Sequence, residues 1–230
     1  GHAVRNDDGE FPTIVLDDAD PQKVADAVAV TGFANAGQVC ISSQRILATP
    51  SIHDDLLDAL TARVSQITAG NQLDDQTNVG PLVRERDAQR VEEWLGQAQR
   101  DGAELRCGGK RNGAVIQPAV LANVRSDMRM SCEELFGPAV GVTRAESIDD
   151  AIHLANDSRF GLSAAVFTQD IDKAIRFVRE VDSGNLHINF GTAWRAETMP
   201  YGGLKDSGMG KEGPKYAIEE MTETKMVVIH

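Results

Sequence analysis

Apolar and polar positions along the chain fall into two alternating periods. Residues 13–16 form a short apolar run, and Asp17, Asp18 and Asp20 follow it with turn chemistry and N-cap oxygens. Val24, Ala27, Val28 and Thr31 then recur at helical spacing, predicting a strand followed by a helix over residues 21–34. Asn35-Ala36-Gly37 breaks that pattern, so Cys40 falls in a loop. Beyond it come a strand at 45–48 and a helix at 53–67 with Leu56, Leu57, Leu60 and Val64 on one side. A second helix at 87–101 carries Val91, Trp94, Leu95 and Ala98, and a glycine turn at Cys107-Gly108-Gly109 leads to a strand at 114–117. Helix 148–155, strand 163–167, helix 171–181 and strand 185–189 continue the rhythm, which predicts an α/β layer structure with a largely parallel sheet.

The two ends behave differently. Residues 1–11 are polar and irregular and read as tag or linker, whereas residues 224–229 read as an isolated β-branched strand with no helix after it to cover it. Such a strand pairs with a partner sheet, in this chain or another. Without internal repeats or a Pro-rich linker, the economical division is one domain over 12–221 with a C-terminal extension over 222–230.

Charge and composition narrow the function. The 230 residues are 41% hydrophobic, enough for a real core, and carry a formal net charge of -12. That acidic excess argues against nucleic acid, whose recognition needs a concentrated positive face. No run approaches the ~18 to 20 apolar residues needed to span a bilayer, and the start of the chain lacks a charged-then-apolar targeting pattern, so the expectation is a cytoplasmic protein without membrane contact. Cys40, Cys107 and Cys132 show no C-x-x-C spacing, and His2, His53, His153, His187 and His230 have no i,i+3 or i,i+4 pairing, so neither a disulfide framework nor a metal site is expected.

Candidate chemistry concentrates around Cys40, a thiol in a glycine-containing loop just after a helix, where the backbone can approach a ligand closely. The stretch GQVCISSQR at 37–45 resembles the active-site cysteine signature of the aldehyde dehydrogenase superfamily. TIVLDDAD at 13–20, EELFGP at 133–138, NDSRFGLS at 156–163 and MPYGGLKDSG at 199–208 resemble further motifs of that family and occur in its order. The resemblance covers essentially all of 12–230. It implies the three-layer αβα catalytic domain of an NAD- or NADP-dependent enzyme in which Cys40 attacks the aldehyde and passes through a thiohemiacetal and a thioester. The Cys40 backbone N–H would be half of an oxyanion hole, Glu134 would bind the nicotinamide ribose hydroxyls, and Phe136 would pack near the ring. Glu212 matches a glutamate the family uses in proton relay; from the residues alone it reads equally well as an exposed acid before the helix holding Tyr216 and Ile218. Cys107 and Cys132 match no catalytic position and are expected to be packing residues.

The same resemblance implies that parts of a complete enzyme lie outside this sequence. The dinucleotide-binding domain would form roughly the first half of the polypeptide. The hydrolytic base would be a glutamate in an E-L-G-G stretch about thirty-four residues before the cysteine, a count that lands on Asn6, which cannot take a proton from water. The chain alone is therefore expected to be nearly inactive, as the catalytic domain of a longer parent. The alternatives are a coenzyme A-acylating semialdehyde dehydrogenase, or a non-enzymatic relative of the same fold. Trp194 and Arg195 fall where family members line the substrate mouth, with Trp194 walling an apolar pocket and Arg195 able to receive a carboxylate or phosphate, unless it is simply paired with Glu197. They point to a small polar or anionic aldehyde. Through residues 224–229 the resemblance implies a parent homodimer or homotetramer.

Overall fold

The computed structural model describes residues 11–230. The position of Asn6 and all but the last residue of the expected linker lie outside the described residues. That last residue corrects the expectation: Phe11 is buried against Ile41, Leu162 and Tyr201, because an aromatic ring has far more to gain from burial than its polar neighbours in sequence.

Strand β1 (Pro12–Val15) leads through Asp20 into α1 (Pro21–Thr31). The Asp20 carboxylate accepts from the backbone N–H groups of Gln22 and Lys23, and Pro21 occupies a first-turn position where its missing N–H costs nothing. The helix stops three residues before the expected end. Gly32 caps it by donating its N–H to the Val28 carbonyl at 2.7 Å, in a spot so tight that a Cβ would press on Val28, Ser43 and Val140. After β2 (Arg45–Ala48), α2 (Pro50–Val64) begins a turn earlier than its apolar stripe suggests, with Pro50 opening it. Next come α3 (Glu85–Arg100), β3 (Glu104–Cys107), the hairpin rungs β4 (Arg111–Asn112) and β5 (Val115–Ile116), and β6 (Ala119–Ala122). Cys107 thus ends a strand as well as starting the glycine turn, and the strand expected at 114–117 is a two-residue rung outside the main sheet.

A short α4 (Arg129–Cys132) precedes β7 (Ala139–Arg144) and α5 (Ile148–Asn156). The chain finishes through β8 (Phe160–Gly161), β9 (Ser163–Phe167), α6 (Ile171–Glu180), β10 (Asn185–Ile188), β11 (Leu204–Lys205) and α7 (Pro214–Met221). Seven strands form one sheet in the order β10-β9-β1-β2-β7-β6-β3, and only β3 runs antiparallel to its neighbour.

Alternation along the central strands builds the layers. Val15, Ile46 and Ala48 face a core shared with α1, α2 and α3, whereas Ile14, Leu16 and Leu47 face the opposite core with Ala151 and Ile152 of α5 and Phe177 of α6. This is a three-layer αβα structure with a mostly parallel sheet. Residues 224–229 belong to no helix or strand, a correction to the expected element: strand hydrogen bonds need a partner, and no strand among the described residues pairs with them. Met226, Val227, Val228 and Ile229 are exposed.

Candidate active site

Cys40 is carried on a strained turn. Asn35, Ala36 and Gly37 follow one another in the left-handed region, with φ of 50°, 57° and 69°. Ala36 pays the usual ~1 to 2 kcal/mol of that conformation and is nonetheless buried, so the surroundings impose the turn. Asn35 and Gln38 close it by exchanging side-chain amide bonds to each other's carbonyls, and Gln38 Oε1 also accepts from the Val83 N–H. On the far side of Cys40, a buried set of hydroxyls fixes the chain. Ser43 Oγ lies 2.8 Å from both Thr31 Oγ1 and Thr192 Oγ1, Thr192 donates to the Ile41 carbonyl at 2.7 Å, and Ser42 donates to the Gly32 carbonyl. The cysteine is therefore held from both directions while its own side chain stays partly exposed.

The sulfur faces a tyrosine hydroxyl. Tyr201 Oη stands 3.6 Å from Cys40 Sγ, and the Tyr201 side chain is otherwise packed against Phe11, Ile41 and Leu162. Tyr201 and Glu212 exchange backbone hydrogen bonds of 3.2 and 2.6 Å. The Glu212 carboxylate accepts from Arg195 Nη1 at 2.9 Å, and the Arg195 guanidinium lies 4.6 Å above the Tyr201 ring. Glu212, Arg195 and Tyr201 thus form a closed ring of contacts, and the acid expected ahead of the last helix is tied to the arginine. Glu197 is farther from Arg195, at 3.9 Å. Cys40 opens with Tyr201, Lys211 and Glu212 on a cavity of about 370 Å³. Trp194 and Arg195 line a neighbouring cavity of about 460 Å³ with His187, Met199 and Tyr201, so Tyr201 is the wall common to both. Burial pushes the His187 imidazole below its ordinary range.

Glu134 and Phe136 lie on a different segment, brought to the cysteine loop through glycines. A Cβ on Gly37 would collide with the Gly137 carbonyl, so the two segments touch backbone to backbone. Phe136 is itself left-handed at φ 46° and its ring is about a third exposed, while Leu135 beside it is fully buried. Arg90 of α3 fixes this turn by donating to the Leu135 carbonyl at 2.7 Å. Burial lowers the tendency of Arg90 to stay charged, and Asp87 and Glu134 offset that by attraction. Arg90 and Arg129 also lie over the Trp94 ring at 5.1 and 4.3 Å. Glu133 pairs with Arg129 on the surface.

Sequence reasoning did not single out Tyr201, Thr192 or Arg90. Tyr201 lies inside MPYGGLKDSG, but nothing in its spacing from Cys40, far away in sequence, marks the contact. Cys107 is half-buried, with burial pushing its thiol up, and Cys132 is exposed. Among the described residues no group of three His, Cys, Asp or Glu could hold a metal ion, and no helix is long and apolar enough to cross a membrane.

Comparison with known proteins settles the family. The sequence profile of the aldehyde dehydrogenase family matches residues 7–227. The chain belongs to the aldehyde dehydrogenase family. A 3-sulfolactaldehyde dehydrogenase of Priestia aryabhattai is 46% identical over 218 residues, which are 95% of this chain and 46% of that protein. Among solved structures, a glyceraldehyde-3-phosphate dehydrogenase from Methanocaldococcus jannaschii, complexed with NADP, superposes with a TM-score of 0.89 at 39% identity, covering 93% of this chain and 46% of that one. A betaine aldehyde dehydrogenase from Staphylococcus aureus in complex with NAD+ gives 0.87 at 38% identity, covering 92% of this chain and 43% of that one. This chain spans about half the length of the relatives it matches.

Proposed function

We propose that this chain is the catalytic part, over residues 12–221, of an enzyme that oxidises a small polar or anionic aldehyde to the carboxylic acid with NAD or NADP. The observation that carries the reading is the placement of Cys40: a partly exposed thiol at the mouth of a cavity, on a turn held in a strained conformation from both sides.

The residues present suit a nicotinamide dinucleotide. Phe136 offers a partly exposed aromatic face on a left-handed turn and belongs to none of the apolar clusters, while Glu134, one residue from the buried anchor Leu135, brings a carboxylate suited to sugar hydroxyls. When bound, the dinucleotide supplies the hydride acceptor for the oxidation. Cys40 supplies the nucleophile: its sulfur forms a bond to the aldehyde carbon as the carbonyl electron pair moves to oxygen, giving a thiohemiacetal. The Cys40 backbone N–H would steady that oxygen. After oxidation the acyl group is held on Cys40 as a thioester, which water cleaves to the acid and the free thiol.

Arg195 is the group that would set the substrate class. Its Nη1 is taken by Glu212, but Nη2 reaches Glu197 only at 3.9 Å, beyond hydrogen-bond length, so that edge is open to a sulfonate, phosphate or carboxylate on the substrate. Trp194, half exposed in the same cavity, walls the carbon skeleton. The relatives named for sulfolactaldehyde and glyceraldehyde 3-phosphate support an anionic tail; betaine aldehyde, for which another relative is named, carries the opposite charge, so the family alone does not choose. Residues 222–230 are proposed to extend the sheet of a neighbouring subunit in a dimeric or tetrameric parent.

The test is steady-state oxidation of 3-sulfolactaldehyde, glyceraldehyde 3-phosphate and betaine aldehyde by the intact parent enzyme and its Cys40→Ser variant. The expected result is preference for the two anions and a loss of about 10³-fold or more in kcat for the variant. A Cys40→Ser protein that retains its activity rejects the reading.

A further inference from the structure

Tyr201 sets a side-chain hydroxyl against the Cys40 sulfur, at a separation within the reach of a sulfur hydrogen bond. Three features make it more than a packing contact. The tyrosine is buried in the apolar cluster that also holds Phe11, Ile41 and Leu162, so its ring has little freedom to swing away. Its backbone is locked to Glu212 by hydrogen bonds in both directions. Its ring face is covered by the Arg195 guanidinium, which Glu212 holds in place. A phenol under a cation is a better hydrogen-bond donor than an isolated one, because the positive charge stabilises electron density drawn onto oxygen.

The other charged groups near the sulfur are occupied. Lys211, which lines the same cavity, donates Nζ to the Gly202 and Gly203 carbonyls at 3.1 and 3.4 Å. Glu220 accepts from the Lys211 backbone N–H, and Glu212 is paired with Arg195. Glu197 lies on the outer side of Arg195 and is almost fully exposed.

We propose that Tyr201 is a positioning residue for Cys40: its hydroxyl donates to the sulfur and holds the thiolate aimed into the cavity, and the Arg195–Glu212 pair fixes the ring that carries it. The proton lost from Cys40 goes to solvent, its electron pair stays on sulfur, and the Tyr201 O–H remains intact as the donor. This rests on the reading of Cys40 as the nucleophile but adds a part for a residue that the reading does not use. It also gives Glu212 a task other than proton relay, as the anchor of the arginine over the tyrosine.

The experiment follows alkylation of the three cysteines by iodoacetamide against pH, with each modified peptide quantified by mass spectrometry. Cys107 and Cys132 serve as internal references. In Tyr201→Phe, which keeps the ring under Arg195, the midpoint for Cys40 is expected to rise by about one pH unit, with an up to tenfold slower reaction at neutral pH. Glu212→Gln should move it the same way by less, and Glu197→Gln should leave it in place. A Cys40 profile unchanged by Tyr201→Phe overturns the proposal. If Cys40 reacts no faster than Cys132 in the native chain yet slows further in Tyr201→Phe, the positioning contact stands while the nucleophile reading fails. Should Tyr201→Phe fold poorly, the native chain decides: it has two tyrosines, so fluorotyrosine labelling gives two fluorine resonances. Alkylation of Cys40 should shift that of Tyr201 and spare that of Tyr216; an unmoved Tyr201 resonance overturns the contact.

Discussion

The backbone of Gly37 rests directly on the carbonyl of Gly137, closer than any side chain at residue 37 would permit. Through this contact the cysteine loop and the turn carrying Glu134 and Phe136 set each other's position, although a hundred residues separate them. Gly37→Ala brings two penalties together: a left-handed alanine at φ 69°, worth ~1 to 3 kcal/mol, and a steric clash with backbone that cannot turn aside, worth a further ~1 to 3 kcal/mol. Gly113→Ala, also left-handed but with open space around it, should cost only the first. Chemical denaturation of the two variants compares them, and equal losses would remove the argument for the backbone contact.

Arg195 should show itself in substrate affinity. In the parent enzyme Arg195→Ala is expected to raise KM for an anionic aldehyde by about 10- to 100-fold while leaving a neutral aldehyde of similar size within a few-fold. Its surface ion pairs contribute little to folding, so the melting temperature should barely move. An unchanged KM for the anion rejects Arg195 as the tail-binding group.

Stability should fall on mild acidification because of His187. Burial holds its imidazole below the ordinary value near 6.5, so as pH falls the unfolded chain takes up the proton first. The stabilising difference is complete above about pH 6.5 and declines below it, levelling off once the folded His187 is also protonated. Asp18 behaves differently: burial acts to raise it, but hydrogen bonds from Thr168 and Gln169 outweigh that and hold it low, so its contribution is lost only in the carboxylate range. Melting curves of native and His187→Gln protein between about pH 7.5 and 5.5 test this, and parallel pH profiles would count against it.

Arg90 should matter for the Phe136 turn rather than for the core. Arg90→Met keeps much of the packing over Trp94 but strips the bond to the Leu135 carbonyl and the attraction to Glu134, at a cost of about 1 to 3 kcal/mol. Hydrogen exchange should report faster opening at residues 133–138 than in the native chain; unchanged protection there would show that the arginine does not hold the turn.

Strongly patterned segments were legible in the sequence. The stripe of Leu56, Leu57, Leu60 and Val64 announced α2, and the runs at β1, β2 and β9 announced the centre of the sheet. β6 and β7 are buried on two faces like those strands, but Ala119–Ala122 is half alanine and Ala139–Arg144 is broken by Gly141, so neither shows alternation or a strong apolar run. The cysteine loop and the EELFGP turn stood out as motifs, but their mutual contact depends on glycines whose meaning is tertiary. The Tyr201–Arg195–Glu212 ring was out of reach for the same reason: charge pairing and ring stacking leave no period in a sequence. Residues 224–229 carry a strand-forming composition without a partner strand among the described residues, and composition alone cannot supply a ladder.

The place of β1 in the sheet has a consequence for the birth of the protein. Ile14 is paired on one side with Leu47 and on the other with Val166, so β1 waits for a strand made much later. At the usual ~5 to 20 residues per second, a ribosome needs roughly 8 to 30 seconds to deliver β9 after β1 has emerged. Through that interval β1 has an open hydrogen-bonding edge and uncovered apolar faces, the conditions under which nascent chains associate with one another. Chains released before Ser163 retain that open edge permanently, and aggregation is their expected fate.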